Sequence, residues 1–253
     1  MAAPAGVEVR LLGGFQVRVD GRPLPPHLWS RRHSAALVKL LALAPGRSLH
    51  REQVIDALWP DLGIDHAAPR LHKAAHYARK TLGHSAAVVL NAETVRLYPD
   101  DDVDVDGPRF QQDAESAVAD GGIAAAKAAL ASYGGELLPQ DPYEPWAEQP
   151  RLHLTRLYAE LLHQAEDWHQ VLAVDPTNEP AHLALAQRYV ERGDRPAALR
   201  QLDELDRVMR HDLGLGPSQR GWELRRRIES VAPDRPCCPD TRSDHRPEPL
   251  TAR

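Results

Sequence analysis

The sequence predicts an α+β winged helix-turn-helix over residues 1–99 and an all-α, tetratricopeptide-like helical repeat domain over residues 100–232. Three observations predict this. Alternating strand patterns bracket three amphipathic helices in the first hundred residues, and beyond residue 106 only helical patterns separated by Gly and Pro breaks remain. The formal charge also reverses: residues 1–99 hold 13 Lys+Arg against 7 Asp+Glu, and residues 100–232 hold 14 against 25. A basic segment suits a polyanion, whereas an acidic one suits protein contact.

Residues 7–12 and 15–19 alternate apolar and polar positions around Gly13-Gly14, and Asp20-Gly21 supplies a hairpin turn before a short return over 22–24. After Pro23, Pro25 and Pro26, Ser30 is placed to cap a helix over about 31–44 with Leu37, Leu40, Leu41 and Ala44 on one stripe. Pro45-Gly46 ends it. A second helix, about 51–59, buries Val54, Ile55, Leu58 and Trp59 and stops at Pro60; its entry residue, His50, is a poorer cap than Ser or Asp.

The third helix, about 65–82, is the informative one. Leu71, Ala74, Ala75, Ala78 and Leu82 share one arc, Lys73, His76, Tyr77 and Lys80 lie opposite, and Arg70, His72 and Arg79 flank that polar face. Gly83 closes the helix. Residues 88–90 and 95–97, joined by Asn91-Ala92-Glu93-Thr94, read as a two-stranded wing.

Helices are expected at about 107–120, 123–133, 146–165, 168–173, 179–192, 195–212 and 218–230. The pair around Gly193-Asp194 has Ala184 and Tyr189 before the turn and Ala198, Leu199 and Leu202 after it, the small-large spacing of two antiparallel repeat helices. Trp146, Trp168 and Trp222 are expected to wedge helices apart, with a groove-lining role as the alternative. Residues 233–253 are rich in Pro and charge with little to bury, the composition of a disordered tail.

In a winged helix the third helix enters the major groove of duplex DNA, about 12 Å wide, and its outward donors reach base edges. The base-edge candidates are Lys73 and His76, followed by Arg70, His72 and Tyr77. The phosphate candidates are Arg31, Arg32, Arg47, His50, Arg51, Arg79 and Lys80. The wing tip carries an acid and no base, for which Arg96 is the candidate compensation. About seven neutralised phosphates give a log-log salt slope near -6.

Other chemistry has weaker grounds. Asp102-Val103-Asp104-Val105-Asp106-Gly107 matches half of a calcium loop, but Pro99 and a strand precede it and Asp113 replaces the bidentate Glu. The competing reading is a linker whose last Asp caps the next helix. His72 and His76, four apart, lack a third metal ligand nearby, so neither a metal nor another cofactor is expected. The phosphate-loop, dinucleotide and nucleophile-elbow glycine patterns are absent, and no catalysis is expected. Cys237 and Cys238, the only two cysteines, cannot form a disulfide framework. The first residues lack a signal-peptide pattern and no apolar run reaches membrane-spanning length, so a soluble cytoplasmic chain is expected.

The stretches LLGGFQVRVDGRPL, WSRRHSAALVKLLALAPGRSLHREQVIDALWPD and APRLHKAAHYARKTLG resemble the winged helix of the actinobacterial antibiotic regulatory protein (SARP) family. DVDVDGPRFQQDAESAVADG, YGGELLPQDPYEPWAEQPRL and GDRPAALRQLDELDRVMRHDLGLGP resemble the bacterial transcriptional activator domain that follows it. Together they cover about residues 7–230. The resemblance implies a transcriptional activator that binds direct-repeat DNA as head-to-tail protomers, a homodimer on DNA, and recruits RNA polymerase. No receiver domain precedes the winged helix in this sequence, so aspartyl phosphorylation is not expected. The rival from the residues is an interaction scaffold whose winged helix serves protein contact.

Overall fold

The computed structural model describes residues 6–230, so the expected tail over 233–253 lies outside the described residues. Two compact units divide between Asp175 and Pro176.

Among the described residues, the first unit contains two small sheets and seven α-helices. Strands β1 (Val7–Arg10), β2 (Gln16–Val19) and β3 (Arg22–Pro23) form an antiparallel meander, with Val9 opposite Val17. Helices α1 (Arg32–Leu43), α2 (Arg51–Leu58) and α3 (Ile64–Leu82) follow. A second sheet joins the short β4 (Ser48–His50) to the wing hairpin β5 (Val88–Leu90) and β6 (Thr94–Leu97) in the order β4-β6-β5. Strand β4 escaped the sequence reading because three residues between two helices are too few to show a period. Ser30 does not cap α1. Arg31 is the N-cap, and Ser34 Oγ donates to the Arg31 carbonyl at 2.7 Å from inside the first turn.

Beyond the wing, a strand appears where a linker was expected. Val103 and Val105 are buried and Asp104 is exposed, the alternation of a half-buried strand, and β7 (Val103–Val105) pairs in parallel with β1. Asp106 then opens α4 (Asp106–Asp120), and its carboxylate accepts the Leu11 and Leu12 N–H groups at 2.7 and 3.2 Å. Burial pushes the Asp106 carboxyl up against the lowering pull of those N–H donors. This strand-to-helix junction is neither the calcium-type loop nor the self-capping linker read from the sequence.

Helices α5 (Ile123–Leu130) and α6 (Pro145–Gln164) pack on α4, and α7 (Trp168–Val174) follows. Between α5 and α6 the chain returns to the first sheet: Leu138 N–H donates to Leu11 O at 2.9 Å and Gly13 N–H to Glu136 O at 2.8 Å. The approach demands glycine at 13, where φ is 72° and a Cβ would sit 2.4 Å from the Gly134 carbonyl oxygen. One hydrophobic core therefore runs from Val7 to Ala165, with Tyr98, Phe110, Leu37, Leu71 and Leu161 fully buried. The expected division at residue 99 does not separate packed bodies, because the winged helix and helices α4–α6 share that core.

The second unit holds α8 (Glu179–Glu191), α9 (Arg195–Val208) and α10 (Gln219–Ser230). Gly193 at φ 76° turns the chain, and the Asp194 side chain caps α9 by accepting the Ala197 N–H at 3.0 Å. Ala186, Ala198, Leu202, Leu205, Leu224 and Ile228 form its core. Ala186 supplies the fully buried small position, and Ala184 is only half-buried. A π-helical turn, Met209–Leu213, ends α9 earlier than the expected residue 212. Trp146 and Trp168 are half-buried, whereas Trp222 stands 40% exposed on α10. Among the described residues no helix is long and apolar enough to cross a membrane.

Candidate nucleic-acid interface

The site begins with the composition of α3. Its inner face, Ala67, Leu71, Ala74, Ala75, Ala78 and Leu82, is buried, and the four alanines bring the helix close against α1 and α2. Apart from Ile64, Ala68 and Pro69 in its first turns, its remaining residues are polar. Arg70, His72, Lys73, His76 and Lys80 are exposed, and Tyr77 is half-buried. The polar face read from the 3.6-residue period is thus presented outward. Among the described residues no ion pair engages Arg70, Lys73, His76 or Lys80.

Two flanks extend this face. On one side the start of α1 meets α3 around a cleft of about 500 Å³ that Arg31, Arg32, His33, Trp59, Arg70 and Lys73 line. The Arg31 guanidinium lies 4.8 Å from the centre of the Tyr77 ring, a cation-π contact that fixes both side chains. His33 stacks on Trp59 with ring centres 5.1 Å apart. Desolvation there, with the nearby Arg32 and Arg70 charges, lowers the His33 pKa. On the other side Arg51 Nη2 sits 3.3 Å from His72 Nε2, and exposed His50 enters α2 with its N–H donating to Gln53 Oε1 at 3.0 Å. Toward the end of α3, His76, Arg79, Lys80 and His84 surround an open depression. Arg79 Nε donates to Ala75 O at 3.2 Å, which aligns that side chain along its own helix.

Two expected phosphate contacts have other duties. Arg47 is removed from the set: Nε donates to Leu97 O at 3.3 Å and Nη2 to Tyr98 O and Asp101 O at 3.1 and 2.9 Å. Its guanidinium gathers the carbonyls at the end of the wing, and its backbone is held at φ 55° to do so. Arg32 points toward the cleft but pairs with Glu144 at 2.7 Å, and this contact raises its pKa. Arg96 is half-buried in β6 opposite Ser48, with Nε buried. The wing tip exposes Asn91, Ala92 and Glu93, as its sequence foretold.

Sequence reasoning missed three residues of this surface. His33 follows Arg31-Arg32 directly, and that basic run was its only signal. His84 follows Gly83 and stacks on Tyr98, with ring centres 6.0 Å apart. Glu144 gave no local signal at all, because it meets Arg32 across 112 positions of chain.

The first comparison with known proteins concerns the helices: residues 105–229 match the family described as bacterial transcriptional activator domain. The fold of the chain resembles the solved structure titled "Mycobacterium tuberculosis EmbR in complex with low affinity phosphopeptide", with a TM-score of 0.61 and 20% identity. That likeness covers 90% of this chain and 66% of the other, so the chain spans about two thirds of its length. No curated protein sequence matches. The fold of the matched structure accommodates a winged helix followed by helical repeats, the order found here. Residues 105–229, just under half of the chain, thus match the bacterial transcriptional activator domain family, and a winged helix lies ahead of them.

Proposed function

We propose that the winged helix binds duplex DNA in a sequence-specific manner, with α3 in the major groove, and that the activator domain recruits RNA polymerase to the promoter beside it. One observation carries this reading: α3 buries its alanine face and presents Arg70, Lys73, His76 and Lys80 to solvent without an acidic partner among the described residues. Donors on an exposed helix of this breadth match the acceptors N7 and O6 of guanine in the major groove. Lys73 and His76 are the central base-reading residues, with Arg70, His72 and Tyr77 beside them. Arg31, Arg32, His50, Arg51, Arg79, Lys80 and Arg96 serve the phosphates on either side. With Arg96 in the set and Arg47 out of it, about seven phosphates are neutralised and the log-log salt slope stays near -6.

The protein acts in the cytoplasm and carries out no reaction of its own. Two protomers bind head to tail on a direct repeat as a homodimer. Footprinting of promoter fragments with the full chain tests both parts of the proposal: two protected half-sites in the same orientation, about 10 base pairs or a multiple apart, are expected. Lys73→Ala and His76→Ala abolish the sequence preference and leave residual salt-sensitive binding. A chain that binds no DNA at low salt, and whose behaviour these variants do not change, is an interaction scaffold instead.

A further inference from the structure

We propose that Glu144 is a built-in competitor for DNA phosphate at Arg32, placed on the DNA-facing surface by the activator domain. The proposal rests on the reading of that surface given above. Arg32 stands at the rim of the cleft between α1 and α3, among Arg31, Arg70 and Lys73. Its side chain is 80% exposed, whereas that of Glu144 is only 16% exposed. The carboxylate is therefore the fixed member of the pair and the arginine the free one.

The support beneath Glu144 is continuous. Its second oxygen, Oε2, accepts the Trp146 Nε1–H at 2.9 Å. Three residues earlier, Asp141 is held by Lys39 Nζ at 2.6 Å. Arg151, from α6, donates Nε to Leu137 O at 3.0 Å and Nη2 to Asp141 O at 2.9 Å. A loop braced at both ends in this way presents one carboxylate to one guanidinium, Oε1 to Nη2 at 2.7 Å. This is the pairing that a phosphate oxygen would make, since both anions accept the same N–H donors.

The residues involved come from different parts of the chain. Arg32 belongs to the winged helix, and Glu144 to the segment that matches the activator-domain family. Any event that moves the Asp141-to-Glu144 loop, such as a partner seated on the helices, frees a cation on the DNA side. The loop thus couples the two functions without a hinge between domains.

The test is DNA affinity of the full chain as a function of salt for wild type, Glu144→Gln, Arg32→Ala and the double variant. Glutamine keeps the size and the bond from Trp146 while removing the charge. Glu144→Gln is expected to tighten duplex binding about threefold to tenfold at low salt and to steepen the log-log salt slope by about 0.9, one added phosphate contact. In the Arg32→Ala background the gain falls to less than half on the logarithmic scale. Glu144→Asp, which withdraws the carboxylate by one methylene, gives a smaller gain in the same direction should the glutamine variant melt early. Unchanged or weakened binding in Glu144→Gln, or an equal gain without Arg32, overturns the proposal. Retention on a heparin column separates this outcome from failure of the DNA reading: Glu144→Gln elutes at higher salt than wild type even where no promoter is recognised, and an unshifted elution also overturns it.

Discussion

Two regions of the first unit are rich in cations, and they use them in opposite ways. At the join between the winged helix and α4–α6, the cations are saturated: Lys39 pairs with Asp141 at 2.6 Å and packs over the Phe15 ring, and Arg47 and Arg151 each hold several backbone carbonyls. On the outer face of α3, Arg70, Lys73 and Lys80 are exposed and, among the described residues, unpaired by any acid. The same residue types therefore serve cohesion in one place and stay solvated in the other. What decides between them is burial, because a half-desolvated cation must be satisfied within the protein and a solvated one need not be.

Substitutions at matched positions sharpen this contrast. The largest effect is expected for Lys39→Ala, which leaves Asp141 unpaired in a mostly buried setting and costs about 3 kcal/mol of stability by denaturant unfolding. DNA affinity, measured where the variant is still folded, changes little. Lys73→Ala does the reverse: unfolding stays within about 0.5 kcal/mol of wild type, while affinity for the preferred site drops about tenfold to a hundredfold in gel shift. A large stability loss there would mean that α3 is held by its outer face.

Arg47→Ala is expected to cost about 1–2 kcal/mol, since carbonyls at the end of the wing lose their donors. Its DNA salt slope remains that of wild type, and a slope shallower by about 0.9 would return Arg47 to the phosphate set. Arg47→Gly is milder than Arg47→Ala, because glycine accepts φ 55° without strain. The smallest effect concerns pH. The lowered pKa of His33 means that the folded state favours the neutral ring, so its contribution is present above about pH 6.5 and is lost as pH falls through the folded value. Wild type should therefore lose melting temperature on acidification to pH 5, and His33→Phe, which keeps a ring on Trp59, should lose less. Equal slopes would place the acid sensitivity elsewhere.

Much of this arrangement was legible in the sequence because it is local. Helix ends lay within a few residues of their Gly, Pro and Asp signals, and the outer face of α3 followed from its period alone. What stayed hidden depends on long separations. The period of α1 suggested a single stripe, yet Ser34 through Ala42 are all buried, since the helix is covered by α3 on one side and the β6 and α6 elements on others. Lys39 within that run is tolerated only through Asp141, which lies 102 positions away. Strand β7 was masked by its aspartates, which look like ligands until β1 is set beside them. Arg47 read as a surface base for the same reason, because its carbonyl partners are at least 50 residues on.

Strand β1 is flanked by β2 on one edge and by β7 on the other, and β7 is supplied by chain beyond the wing. A fragment cut after the wing would bare that edge, with its open N–H and C=O groups inviting stacking with neighbouring molecules. The winged helix is consequently not a detachable cassette. Chimeras between related regulators should exchange it together with the chain as far as α7, and the workable seam lies at Asp175-Pro176, where the compact units part.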